Sequence, residues 1–349
     1  MRKKSLNAKK KSLKRVSNFL KNKYIFSVYK NFEKNLVKNE KYLVAVSGGP
    51  DSLALAFFTK CYSKLNNSKF YYYLVDHKLR KESKDEANKT LSLLKKIGVN
   101  CKILTWRGKK PKSNIQSIAR FNRYSLLINK CKKIKINNIL LGHQKNDLNE
   151  NFLIRMMRGS GLKGLVSMDI FSKNKNINYI RPLLGVEKKK LVKISLLVFS
   201  DYVSDPSNIN ENFKRIRVRN LISLLEKEGL DKEKIYLTIQ KLKSANNALE
   251  FYSEKNIKEN TALNQKKNVT LNKQFFEQPY EIVIRSITRL IKKVGKNYYP
   301  PRGKSIKNVI AELKSTNGSK KVTLGGCIFE KVSKTVIISK EKHNFLNKG

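Results

Sequence analysis

The chain has 349 residues, 40% of them apolar, and carries 76 Lys and Arg against 26 Asp and Glu, a formal charge of +50. That length suits two domains, or one with an appendage, and 16 Phe and 15 Tyr set among periodic apolar stretches exclude a wholly disordered chain. The longest apolar runs, 53–58 and 70–75, fall far short of the ~20 residues a membrane-spanning helix needs, and no apolar signal core follows the basic start, so a non-secreted, cytoplasmic protein without membrane contact is expected.

Residues 2–15 form a Lys-rich tail, and 16–29 read as a leading helix. A short apolar run over 42–46 ends in Ser-Gly-Gly-Pro and predicts a buried strand, after which 52–65 carries apolar residues at helical spacing. The alternation repeats: strand 70–75, helix 82–97 closed by Gly98, strand 101–106, a helix from an N-cap at Ser113 to about 131, strand 138–142, helix 147–158. Four such alternations predict the α/β class, a doubly wound parallel sheet with helices on both faces. Past Arg181-Pro182, helices are expected over 187–199, 213–229 and 231–258, then a polar linker over 259–273. Helices over 278–294 and 305–313 and strands over 321–324, 327–332 and 335–339 complete the chain. The expected organisation is a tail and leading helix (1–36), an α/β domain (37–222), a helical region (223–272) and a small α+β region (273–349).

Cys61, Cys101, Cys131 and Cys327 are widely spaced and form no Cys-x-x-Cys pair. They read as buried thiols in a reducing compartment, with no disulfide-linked partner. Abundant Lys, Asn and Ile, as in AT-rich genomes, explain part of the basic charge. The scarcity of acidic residues is not explained that way and points to a polyanionic partner, nucleic acid.

The most informative stretch is Ser47-Gly48-Gly49-Pro50-Asp51-Ser52, between the first strand and the first long helix. Ligands of open α/β sheets gather at the carboxyl ends of strands, where this loop falls. Two glycines allow a tight turn that aims successive N–H groups at one point, and the helix start adds positive potential. Ser47 and Ser52 offer hydroxyls to phosphate, and Asp51 makes sense with Mg²⁺ between it and the phosphates. The plainer reading is a capping turn. No Lys follows the glycines, so this is not a Walker loop; Gly303-Lys304-Ser305 imitates the end of one, but Tyr298 stands where glycine is required.

A second polar cluster closes the fourth strand: Gly142-His143-Gln144-Lys145-Asn146-Asp147, then Glu150. Asp147 and Glu150, three apart, share a helix face and suit Mg²⁺ or an ammonium group. His143 at the strand tip suits phosphate orientation or proton transfer. The alternative is structural: Asn146 as helix cap, Glu150 as dipole complement, His143 as packing. Arg155 and Arg158 precede the glycine-rich break Gly159-Ser160-Gly161 and suit phosphate or RNA backbone.

The first loop resembles the Ser-Gly-Gly-x-Asp-Ser loop of the N-type ATP pyrophosphatases, the PP-loop superfamily, which cleave ATP between the α and β phosphates. The later segments narrow the resemblance. Gly142 through Glu150, with Arg158-Gly159-Ser160-Gly161 and Gly164-Leu165, is similar to the Gly-His-His-x-Asp-Asp-x-x-Glu-Thr…Arg-Gly-Ser-Gly-x-x-Gly-Leu signature of the tRNA(Ile)-lysidine synthetases. Val75-Asp76-His77 through Arg80, Ala119-Arg120 with Arg123-Tyr124, Arg181-Pro182-Leu183-Leu184 and Asp205-Pro206-Ser207-Asn208 follow that family in order, and Thr323 to Cys327 adds a weaker echo. Gln144, Asn146 and Asn151 replace the family's second His, first Asp and Thr.

The resemblance implies an ATP-dependent ligation of L-lysine to C2 of the wobble cytidine in the CAU anticodon of tRNA(Ile), through an adenylated cytidine. ATP is then the co-substrate and Mg²⁺ the metal. It implies ATP at Ser47, Gly48, Gly49, Pro50, Asp51 and Ser52, Mg²⁺ at Asp51, and catalysis by Asp51, His143, Asp147, Glu150 and Arg120. RNA contacts are expected from Arg155, Arg158, Lys214, Arg215, Arg217 and Arg219, with Arg123 a further phosphate contact. Three rivals stay open: a tRNA thiolase of the same superfamily, a non-catalytic RNA-binding protein on a nucleotide-binding fold, and a small-molecule amidotransferase of the GMP-synthetase type.

Overall fold

The computed structural model describes residues 18–78, 82–108, 114–204, 210–264, 268–295, 301, 303–315 and 319–341. The tail at 2–15, the cap expected at Ser113, Arg80 and the 205–208 motif lie outside the described residues. The chain divides into two compact units, Met1–Ile239 and Gln240–Gly349.

In the first unit, helix α1 (Lys23–Glu33) starts where the Asn22 side chain accepts the N–H groups of Tyr24 and Ile25. Its buried stripe of Ile25, Val28, Tyr29 and Phe32 follows the helical period. Then come β1 (Lys41–Val46), α2 (Pro50–Leu65), β2 (Lys69–Asp76), α3 (Ser83–Lys95), β3 (Cys101–Thr105), α4 (Ile115–Lys133), β4 (Asn138–Leu140) and α5 (Lys145–Met156). After the single turn α6 (Leu162–Leu165), the chain adds a hairpin, β5 (Phe171–Asn174) and β6 (Ile177–Ile180), then α7 (Lys188–Phe199), α8 (Lys214–Lys227) and the start of α9 (Lys232–Asn260), whose residues from Gln240 on belong to the second unit.

The sheet runs in the order β3-β2-β1-β4-β6-β5, parallel except for β5. The sequence alternation is therefore realised as a doubly wound α/β sheet. Both faces of β1 are buried, as a central parallel strand requires. Tyr42, Val44 and Val46 join the core under α1, α2, α3 and α7, while Leu43 packs opposite with Leu127 and Cys131 of α4. The strand order reverses between β1 and β4, because β1 leads out to β2 on one side and β4 returns on the other. That reversal opens a crevice at their carboxyl ends. Among the described residues no helix is long and apolar enough to cross a membrane.

The second unit contains a five-stranded antiparallel sheet, ordered β7 (Thr261–Leu263), β8 (Val269–Leu271), β11 (Thr335–Lys340), β10 (Cys327–Val332) and β9 (Lys320–Leu324). Helices α10 (Lys273–Glu277), α11 (Tyr280–Gly295) and α12 (Gly303–Ser315) accompany it. Its core unites Val283, Ile287 and Leu290 of α11, Ile306 and Ile310 of α12 and Phe329 and Ile338 of the sheet. The linker expected over 259–273 is corrected: it holds β7 and β8, with Val269 and Leu271 buried on either side of Thr270. Three-residue strands are too short to show a period. The β5–β6 hairpin, two four-residue strands, is likewise too short for a clear period and turns through Lys175 at φ 52°.

Arg285 of α11 is buried, and its guanidinium donates to Asn246 Oδ1, Glu250 Oε1 and Glu281 Oε1, each at 2.8 Å. Removing one partner of a buried pair leaves an uncompensated charge. Here Glu250 keeps Arg289 as a partner and Glu281 is half-exposed, so Arg285→Ala is expected to cost about 1.5–3 kcal/mol, read as a lowered urea midpoint of the full chain.

Candidate active site

The first wall of the crevice is the loop after β1. Gly48 has φ +83°, and a Cβ there would stand 2.3 Å from Thr90 Oγ1, so both backbone conformation and space call for glycine. Its carbonyl accepts the Val203 N–H at 3.0 Å. Ser52 Oγ accepts the Ser47 N–H at 3.1 Å and donates to the Gly49 carbonyl at 2.9 Å. The Ser52 hydroxyl expected on a phosphate is thus a brace within the loop. Ser47 is exposed, and its hydroxyl reaches Ser52 Oγ at 3.3 Å. Gly49 caps α2 without a side-chain bond, and Pro50 follows at the first helical positions. The leading N–H groups of a helix have no intrahelical partners, so an anion at this end meets amides and the helix dipole together.

The second wall is the end of β4. A Cβ at Gly142 would lie 3.2 Å from the carbonyl carbon of Asp51 and the nitrogen of Ser52. Glycine lets the two segments touch, and α5 then leaves with its acidic residues at the loop. Gln144 is the N-cap: its Oε1 accepts the Asn146 N–H at 2.7 Å, and Asp147 Oδ2 accepts the Gln144 N–H at 3.0 Å, a capping box. The reading of Asn146 as cap is corrected by this geometry. Lys145, buried in the first turn, meets both carboxylate oxygens of Glu233 and lies 4.4 Å from the centre of the Tyr236 ring.

Asp51, Asp147 and Glu150 come together here. Asp51 Oδ1 is buried and finds no hydrogen-bond partner. Burial, then the nearby Asp147 carboxylate, push the Asp51 carboxyl up to about 7, against the pull of Lys188 and Arg219. Glu150 is 1% exposed; its Oε1 accepts from Arg219 Nε at 2.8 Å while Oε2 has no partner. Burial raises the Glu150 carboxyl and Arg219 opposes that rise. Arg215 Nη1 is 3.9 Å from Asp147 Oδ1.

Arg215 and Arg219 are four apart on α8 and meet these carboxylates, whereas Arg217 is exposed and donates to the carbonyls of Glu211 and Asn212. The row from Lys214 to Arg219, expected as one RNA-facing set, is split by the helical period: two of its cations are charge partners inside the site. Lys214, half-buried, begins α8. Arg155 and exposed Arg158 lie at the far end of α5, Arg155 about 12 Å along the axis from Asp147 at 1.5 Å per residue.

His143 is half-buried, with its Nδ1 atom buried and unpartnered. Burial, reinforced by Arg181, Arg120 and Arg215 and opposed by Asp147, holds its imidazole down to about 4, so at neutral pH the ring is uncharged. Arg120 lies over the Tyr124 ring at 5.1 Å and donates to its hydroxyl at 3.3 Å.

Three residues of the crevice had been assigned no role. His77, just past β2, has neither ring nitrogen hydrogen-bonded and is likewise held near 4, by burial and then Arg123. Arg181 donates to the Asp169 carbonyl and Ser172 Oγ, both at 2.9 Å, and keeps Nε unpartnered. Lys188 opens α7 within the field of Asp51. Strand-end position beside β1 or β4 was the available signal for the first two.

Asp51 Oδ1, buried and without a hydrogen-bond partner, is a fit for a hard cation. Among the described residues no group of three or more His, Cys, Asp or Glu is placed to hold a metal alone. Mg²⁺ would therefore be held by Asp51 together with ligand phosphates, its usual arrangement at nucleotide sites.

Residues 15–225 match a family model described as the PP-loop domain. The chain is 32% identical over 308 residues to the tRNA(Ile)-lysidine synthase of Wolbachia sp. subsp. Brugia malayi (strain TRS), covering 87% of this chain and 72% of that protein. It is 33% identical over 318 residues to the enzyme of that name from Orientia tsutsugamushi (strain Boryong), covering 87% and 70%. Among solved structures, a U34-tRNA thiolase from Methanococcus maripaludis superposes with a TM-score of 0.54 at 20% identity, over 63% of this chain and 78% of that one. This last likeness is one of fold.

An acid whose folded pKa lies above its ordinary 3.8 loses the fold stability as pH rises from about 4 through 7. Asp51→Asn is therefore expected to stabilise the ligand-free protein at pH 8, by on the order of 4 kcal/mol, with the gap closing toward pH 4. Thermal unfolding across that range checks the sign.

Proposed function

This chain belongs to the tRNA(Ile)-lysidine synthase family of PP-loop proteins, and we propose that it joins the ε-amine of L-lysine to C2 of the wobble cytidine in the CAU anticodon of tRNA(Ile), in the cytoplasm. The observation that carries the reading is the convergence of Asp51, Asp147 and Glu150, from separate segments, on one crevice with Arg215 and Arg219 as counter-charges.

The cytidine C2 oxygen attacks the α-phosphorus of ATP, and pyrophosphate leaves. The lysine amine then attacks the adenylated carbon, and AMP leaves. The loop from Ser47 to Ser52 binds the triphosphate through its amides. Asp51, together with the phosphates, would hold Mg²⁺, which when bound would neutralise phosphate charge. Asp147 and the unpartnered Glu150 Oε2 receive the lysine ammonium and take its proton, since the amine reacts only when neutral. Uncharged His143 donates or accepts a hydrogen bond there without adding charge, and Arg120 and Arg181 face the developing phosphate charge. The ATP pyrophosphatase module in this reading spans 37–222.

A sulfur-transfer reaction is disfavoured by the thiols: all four are buried, and burial pushes Cys61, Cys101 and Cys131 up to about 12 and Cys327 to about 11. A thiolate nucleophile wants the opposite shift.

Incubation of the protein with tRNA(Ile), ATP, Mg²⁺ and labelled lysine, followed by mass analysis of the wobble nucleoside, is expected to show a lysine adduct. Asp51→Ala should abolish it, and Glu150→Gln should lower kcat/KM for lysine by roughly 10²–10³. A sulfur-bearing nucleoside, or none, sinks the reading.

A further inference from the structure

Helix α4 has a side that the fold leaves uncovered. Ile115, Ile118 and Phe121, three apart, are 44%, 36% and 71% exposed, and Phe121 is the most exposed large apolar side chain among the described residues. The sheet is met by the other side of the helix, through Leu127 and Cys131. The helix carries Arg120, Arg123, Lys130, Lys132 and Lys133 and no acidic residue. It follows the parallel strand β3, so its first turns stand at the crevice edge. The residues beside Phe121 confirm that placement: Arg120 belongs to the cations around His143, and Arg123 acts on His77.

We propose that this face of α4, centred on Phe121, is the stacking platform for a base that flanks the reacting cytidine in the RNA loop. The proposal rests on the RNA-modifying reading above. A cytidine drawn into a pocket leaves the stack, and its neighbours lose a partner that an exposed aromatic ring replaces. Sequence-tolerant stacking on aromatics set in basic surface is a general mode of single-strand binding. The helix charge matches a polyanion, whereas a second copy of a +50 chain is repelled from it.

The test uses the full chain and a hairpin RNA with a CAU loop, bearing 2-aminopurine beside the cytidine. Phe121→Ala is expected to weaken binding by roughly 5- to 100-fold, to abolish the quenching of 2-aminopurine that the unaltered protein gives, and to leave the thermal midpoint and ATP affinity unchanged. Phe121→Trp should keep both binding and quenching. Unchanged hairpin affinity and emission in Phe121→Ala would overturn the platform. So would a variant that changes only the sedimentation of the free protein, which would mark a contact between copies. Ligation of lysine by the unaltered chain with normal hairpin binding by Phe121→Ala sinks the platform alone. Phe121-dependent binding without ligation sinks the reaction and leaves the platform standing.

Discussion

The crevice depends on one contact of main chain with main chain. Gly142, at the end of β4, lies so close to the peptide of Asp51 and Ser52 that a methyl group would need the backbone to give by a few tenths of an ångström. Because β1 and β4 are neighbours at the point where the strand order reverses, the loop after one and the helix after the other open onto the same space. A larger residue at Gly142 would press on the turn at Asp51, whereas one at Gly48 would collide with Thr90 and Val203.

Electrostatics then follow from burial. Burial holds the Asp51 carboxyl and the Glu150 carboxyl above their ordinary values, and Asp51 feels the Asp147 charge as well. Arg219 pairs with one oxygen of Glu150 and leaves the second oxygen open. Both imidazoles are kept neutral among arginines. The site is thus poised toward a cationic guest beside the carboxylates and an anionic guest at the loop, an asymmetry that suits an amino acid and a nucleotide together.

Much of this was legible in the residues. The alternation of apolar runs predicted the parallel sheet, and the Ser-Gly-Gly-Pro-Asp-Ser turn and the Gly142–Glu150 segment marked the crevice. What escaped were contacts between distant segments. Nothing local says that Arg215 and Arg219 turn inward to carboxylates nearly 70 positions earlier, or that the Ser52 hydroxyl braces its own loop. The short strands β7 and β8 were hidden because pairing in a sheet, rather than local pattern, stabilises three residues. Gln144, which stands where the family has its second His, is the cap of α5 and keeps that helix start hydrogen-bonded.

Lys145 has a consequence for how such a chain can vary. A cation in the first turn opposes the helix dipole, and this one is also buried; the Glu233 carboxylate and the Tyr236 ring compensate it. Elsewhere lysine accumulates on an open surface where one more or one fewer hardly matters. At this spot the count matters, because exchange of Glu233 would leave a buried ammonium without its carboxylate.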